Sequence, residues 1–185
     1  MGGHVDVAVQ RRPLSPPDLS HDDDEFARLV ERLDYPMFVV TAAAGADHAG
    51  CLVGFVTQTG IDPPRVLVCI SRSNATAEVA RRATHLVVHV LRRHDTDLAS
   101  HFGEVTGREV DKFASVRWRE GPGGAPVLDG LDWFAGPILD RIESLGDHTG
   151  YLLATGSAGH AVAEHVAVHQ LGYQQVRDLH AANPP

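Results

Sequence analysis

The sequence predicts a mainly β fold, an antiparallel barrel with a few short peripheral helices, on three observations. Short apolar runs with strand-like alternation recur along most of the chain, the helical segments between them are brief, and strand and helix do not alternate regularly as a doubly wound sheet requires. At 185 residues and 43% hydrophobic content, the chain can bury one ordinary core, so a single domain is expected. No internal repeat is legible.

Residues 1–21 carry Arg11-Arg12-Pro13 and Ser15-Pro16-Pro17 without hydrophobic periodicity, and read as a flexible N-terminal arm; residues 22–185 form the domain. The acidic run Asp22 to Glu25 suits a helix N-terminus, and Phe26, Leu29, Val30 and Leu33 follow at helical spacing. Pro36 ends that helix. A strand is expected over 37–43, a hairpin turn over 45–48 and one returning strand over 50–59. After the corner at Pro63-Pro64, residues 65–71 are apolar on both alternations, with Val66, Val68 and Ile70 opposite Leu67 and Cys69, as in a central strand.

Residues 74–82 read as a helix that buries Ala77, Val79 and Ala80, and 85–91 as a strand. Thr96 is placed to cap the next helix, whose stripe of Leu98, Ala99 and Phe102 continues through Val110 and Phe113. Gly121-Pro122-Gly123-Gly124 is a loop. Strands are then expected over 133–144, broken at Gly136-Pro137, and over 149–155 and 160–169. Trp118, Trp133 and Phe134 suit core or interface anchoring.

A formal charge of −8 and scattered Lys and Arg argue against a nucleic-acid partner. No apolar run reaches bilayer length and no signal-peptide core opens the chain, so a cytoplasmic protein without membrane contact is expected. Cys51 and Cys69 lie within apolar runs and read as small buried hydrophobes. Neither His85 with His89 nor His160, His165 and His169 have zinc-site spacing, so no metal is expected.

The glycine fingerprint of a dinucleotide fold, the P-loop and the Gly-x-Ser-x-Gly elbow are all missing. What remains is a site of backbone and small polar groups. Residues 50–76 join two strand-like runs and end in Ser71, Arg72, Ser73, Asn74 and Thr76. Hydroxyls and N–H groups at the start of a helix grip a phosphate without a large countercharge, while small residues let a flat ring lie against the strand. A plain central strand bounded by a turn would present the same residues.

From residue 33 to 173 the sequence resembles the flavin reductase-like family, the FMN-binding split barrels. The resemblance rests on the segment through Val53-Gly54-Phe55 to Pro63-Pro64, on Asp97-Leu98-Ala99-Ser100-His101-Phe102 with Asp111-Lys112-Phe113, on Ala125-Pro126-Val127-Leu128-Asp129-Gly130 and on Gly146-Asp147-His148. It implies an antiparallel split β-barrel and a homodimer whose partner chain closes each site. It also implies an NAD(P)H:flavin reductase that moves hydride from NADH or NADPH to FMN or FAD, with reduced flavin serving a monooxygenase or another acceptor.

By the same resemblance, Val53, Gly54, Phe55, Val56, Thr57, Gln58 and Thr59 lie along the flavin ring. Ser71, Arg72, Ser73, Asn74 and Thr76 hold its phosphate and ribityl chain, and His148 is the catalytic side chain near flavin and nicotinamide. His148 would either orient the nicotinamide amide or stabilise charge on reduced flavin. This chain departs from many relatives in lacking hydroxyls at 53–55 and at Gly60, which leaves hydroxyl contacts to Thr57, Thr59 and the Ser71 group. An FMN-binding electron-transfer protein or flavin carrier without nicotinamide oxidation is the alternative; a split barrel given to haem or another cofactor is a third.

Overall fold

The protein is described from a computed structural model over residues 23–105, 107–108, 110–161 and 167–179. The expected arm at 1–21 lies outside the described residues. The chain divides into two compact units between Leu33 and Asp34. In the first, helix α1 spans Asp23–Val30 and is closed by Glu31 N–H donating to the Ala27 carbonyl at 2.9 Å.

The second unit contains β1 (Phe38–Ala44), β2 (Asp47–Val53), β3 (Val56–Ile61), β4 (Pro64–Ser71), α2 (Ala75–Ala80), β5 (His85–Val90) and α3 (Thr96–Glu104). Then follow β6 (Trp118–Glu120), β7 (Pro126–Leu128), β8 (Asp132–Leu145), β9 (His148–Ala154) and β10 (Ala158–Gly159). The main sheet runs β2-β1-β5-β8-β9-β4-β3, with β10 added to β8, while β6 and β7 form a separate ribbon. Every pairing is antiparallel.

Two places depart from the expected strand pattern, and both are exchanges of partner. The returning strand over 50–59 is two strands: β2 leaves β1 at Val53, the chain bends at Gly54-Phe55, and β3 pairs with β4 from Val56↔Val68 onward. Gly54 is required at the bend because a Cβ there would strike the Tyr35 ring. The chain thereby links the two ends of the curled sheet, and Cys69 N–H seals the seam on the Phe55 carbonyl at 2.9 Å. Conversely, β8 does not break at Gly136-Pro137. It pairs with β5 through Pro137 and with β9 from Ile138, and Gly136 leaves no room for a Cβ beside the Ala154 carbonyl.

Val40, Ala42, Val68, Ile70, Leu86, Val88, Tyr151 and Leu153 are all buried inside the curled sheet, with α2 adding Ala77, Val79 and Ala80. Each large side chain in this set contributes about 1.5–3 kcal/mol on leaving water. A second cluster around Val39, Leu91, Phe102, Phe113 and Leu171 packs on the other side of β1 and β5. On β4 only Val68 and Ile70 are fully buried; Leu67 and Cys69 on the opposite face stay half-buried, although the strand has neighbours on both edges. Phe55, Ile61 and Leu139 are exposed on or beside the same sheet region.

His89 sits in the core at 0% exposure. Its Nδ1–H donates to the Val39 carbonyl and its Nε2 accepts from Leu128 N–H, each at 3.0 Å, so the ring is neutral. Burial pushes its pKa down to about 4, against a smaller upward pull from the Val39 bond.

Three further expectations are corrected. Thr96 opens α3 without capping it, because Asp95 holds the cap position and turns its carboxylate to Arg92. Val110 is exposed and outside any helix, while Phe113 enters the core through a separate 3-10 turn at Lys112–Ser115, capped by Asp111. Of the strand expected over 160–169, residues 162–166 lie outside the described set, and β10 ends at Gly159. No helix among the described residues is long and apolar enough to cross a membrane.

Candidate functional site

The register of β4 with β9 sets Ser71 directly opposite His148, and the Gly54-Phe55 bend passes the same spot. These residues open on a cleft of about 160 Å³ whose lining includes Val53, Gly54, Phe55, Ser71, Asn74 and His148. Six of the residues singled out in the sequence thus converge. Ser71 and Ser73 hydroxyls lie 3.0 Å apart. Asn74 caps α2 by accepting from Thr76 N–H at 2.9 Å, which leaves its side-chain amide NH₂ as the donor available to a ligand.

The other expected contacts lie elsewhere. Thr57, Gln58 and Thr59 are exposed on edge strand β3, where Gln58 donates to the Gly60 carbonyl at 2.9 Å, and Val56 begins that strand beyond the cleft. Arg72 turns away to donate to the Glu143 main-chain carbonyl at 3.0 Å. Thr76 is buried and its hydroxyl meets the Cys51 thiol. The start of α2 also offers less than expected, because the helix has six residues and the Thr76 and Ala77 N–H groups are already bonded to Asn74.

Among the lining residues that the sequence reading did not assign to the site are Tyr35, Met37, Cys69 and Tyr173. Tyr173 stacks on Tyr35 at 4.7 Å, Tyr35 lies 6.1 Å from Phe55, and Phe55 lies 5.3 Å from His148, giving a continuous wall of rings. The wall is assembled by distant segments, since Tyr173 N–H donates to the Tyr35 carbonyl at 2.9 Å and Pro36 bridges to Gly172. No local periodicity announces such a contact. Cys69 was read as a buried hydrophobe, yet it is half-buried against the cleft; burial raises its thiol pKa, which keeps it protonated and weakly nucleophilic.

His148 is partly exposed, at 22% of its side chain, and its Nδ1–H donates to Asp147 Oδ1 at 2.6 Å. That bond, followed by the charge of the imidazole, holds the Asp147 carboxyl below its ordinary pKa. Fixing Nδ1 leaves Nε2 as the ring atom able to meet a ligand. Aromatic faces for a planar ring, with hydroxyls and an amide for a phosphate tail, are a donor set that fits a flavin nucleotide. The single-chain cleft, at about 160 Å³, falls short of the roughly 300–1,000 Å³ of complete ligand sites. Phe55, 51% exposed, forms its outer lip.

Comparisons with known proteins identify the family. A family model described as flavin reductase like domain matches residues 30–177. The 4-hydroxyphenylacetate 3-monooxygenase reductase component of Salmonella typhimurium is 33% identical over 118 residues, 63% of this chain and 69% of that protein. A Rhizobium meliloti protein named "Probable flavin reductase" is 34% identical over 114 residues, which cover 59% of this chain and 35% of the relative. The chain therefore spans only about a third of that relative's length. The Streptomyces globisporus NADH:FAD oxidoreductase SgcE6 superimposes with a TM-score of 0.68 at 26% identity, over 80% of this chain and 88% of that one. The strand order, the site at the ends of β4 and β9 and the match over residues 30–177 place one conclusion beyond the resemblance of motifs: the chain belongs to the flavin reductase like domain family.

Proposed function

We propose that the protein is an NAD(P)H:flavin reductase that takes hydride from NADH or NADPH onto FMN or FAD. The observation that carries this reading is the meeting of Ser71 and Asn74 with His148 and the Tyr35-Phe55-Tyr173 rings around one cleft, with the Ser73 hydroxyl bonded to Ser71 behind it. A bound flavin supplies the hydride-accepting ring. Ser71, Ser73 and Asn74 hold its phosphate by hydrogen bonds, of which those to a charged acceptor contribute about 1.5–3 kcal/mol each. The backbone at Val53, Gly54 and Phe55 lies along the ring, and the neighbouring aromatic side chains exclude water from one side.

His148 presents Nε2 toward the nicotinamide or the flavin edge, with its orientation fixed by Asp147. The site is completed by a second copy of the chain: Phe55, Ile61, Leu139 and Leu145 are exposed apolar side chains along β3, β8 and the bend, a face suited to pairing. The relative named as a monooxygenase reductase component supports an oxygenase as the consumer of reduced flavin. A structure of SgcE6 described with NAD and FAD fragments supports nicotinamide and flavin as the ligand pair.

The test is anaerobic mixing of the full chain with FMN or FAD and NADH or NADPH, followed at the flavin absorbance band. Catalytic bleaching is expected, and His148→Gln should slow it about tenfold or more while changing flavin affinity less than threefold. Tight flavin binding without nicotinamide oxidation would replace the reading by a carrier, and absence of any saturable flavin binding would end it.

A further inference from the structure

Neighbouring residues of a strand face opposite sides of the sheet, and at the β4–β9 end that alternation creates a second cavity. Ser71 and His148 line the cleft described above; the next residues, Arg72 and Thr149, line a separate cavity of about 300 Å³ together with Ala77, Arg81, Glu143 and Tyr151. It lies between α2 and strands β8 and β9.

Two features of this cavity suit an anionic ligand. The first is charge: Arg72 and Arg81 face it in a chain whose formal charge is −8, and the Arg141 guanidinium lies 5.9 Å from the Tyr151 ring centroid beside it. Arg72 is steered there by its bond to the Glu143 carbonyl, and Arg141 by Nη2 donating to the Ala83 carbonyl at 2.6 Å, while Arg141 Nε is buried without a partner. The second is Tyr151 itself. Its side chain is 1% exposed and lines the cavity, yet its hydroxyl makes no hydrogen bond among the described residues. Burial raises its pKa, so the phenol is a protonated donor at neutral pH. That hydroxyl opens on the cavity rather than being sealed in the core, so an oxyanion there can take the place of water as its partner.

The acceptor that suits these donors has several negative oxygens directed to different sides, because Arg72 approaches from just past the end of β4, Arg81 from just past the end of α2 and Tyr151 from β9. The Glu143 carboxylate, already accepting from the Thr149 hydroxyl at 2.9 Å, repels a fully ionised anion and favours one that carries its own proton donor. We propose that this cavity binds a small phosphate-type oxyanion, as hydrogenphosphate or a compact hydroxyl-bearing phosphate ester, through Tyr151, Arg81 and Arg72. The site is distinct from the flavin cleft, and its occupancy does not depend on the flavin reading.

Isothermal titration of inorganic phosphate into the full chain, in a low-salt buffer free of phosphate and flavin, tests the proposal. One saturable site is expected, with Kd about 1 mM or tighter. Tyr151→Phe, which keeps the buried ring, should fold with unchanged or higher Tm and bind phosphate at least fivefold more weakly; Arg81→Gln, at an exposed position, should weaken it about tenfold. Phosphate should raise the Tm of the wild type more than that of either variant. Binding should also survive stoichiometric FMN, and a phosphate ester with a free hydroxyl should bind at least as well as inorganic phosphate. No saturation up to about 50 mM, either variant binding as tightly as wild type, or displacement by stoichiometric FMN overturns the proposal.

Discussion

Mild acid should destabilise this protein through one core histidine. His89 carries a folded-state pKa of about 4 because it is buried, whereas an imidazole in the unfolded chain titrates near 6.5. Above pH 6.5 both states hold a neutral ring and the residue gives stability no pH dependence. As pH falls below 6.5 the unfolded ring takes up a proton that the folded ring refuses until pH passes through about 4, so stability is lost across that window. At pH 5 the unfolded ring is protonated by about thirtyfold over neutral and the folded ring by only about a tenth, which corresponds to about 2 kcal/mol lost relative to pH 7. Urea midpoints at pH 7 and pH 5, for wild type and His89→Gln, measure the term directly. The variant should be less stable at pH 7, since it disturbs the bonds to Val39 and Leu128, but should lose about 2 kcal/mol less on acidification. Equal acid sensitivity in the two proteins would refute the reasoning.

Other perturbations act through geometry. Asn74→Ala removes the α2 cap and should cost about 1 kcal/mol in urea unfolding, with weaker FMN binding in fluorescence titration. Gly136→Ala forces a Cβ into the Ala154 carbonyl where β8 changes partner, and should destabilise by about 3 kcal/mol or more, or abolish soluble expression. Leu139→Glu places a charge on the exposed apolar face, and should shift the chain toward monomer in sedimentation velocity while loosening flavin. Retention of a dimer with full flavin affinity would exclude that face from pairing.

Much of the barrel was legible because its strands carry their burial in short-range alternation: β1, β4, β5 and β9 fall within a residue or two of the expected ranges. The partner exchanges were not. Residues 50–59 keep a continuous strand-like pattern through Gly54, and the need for glycine there comes from the Tyr35 ring, nineteen residues earlier in the chain and adjacent only after folding. Pro137 gave the opposite error, because an exchange of neighbours along β8 looks like an interruption in sequence. Ser71, Asn74 and His148, which the cleft brings together, were singled out through the family resemblance, whereas Tyr35 and Tyr173 come together by contacts between the two ends of the second unit. The alternation of residues 85–91 placed His89 on a face, yet its hydrogen-bond partners lie 50 and 39 residues away, so its burial as a neutral ring needed the tertiary structure.

The bend at Gly54-Phe55 makes the covalent chain itself the clasp of the sheet. Relocating the termini by circular permutation would expose this arrangement. An opening cut at the tight Gly45-Ala46 turn spares the clasp and should preserve a soluble fold, whereas one between Gly54 and Phe55 unties β3 from β2 and leaves this edge strand, with its exposed Ile61, held by β4 alone and primed to recruit strands from other molecules.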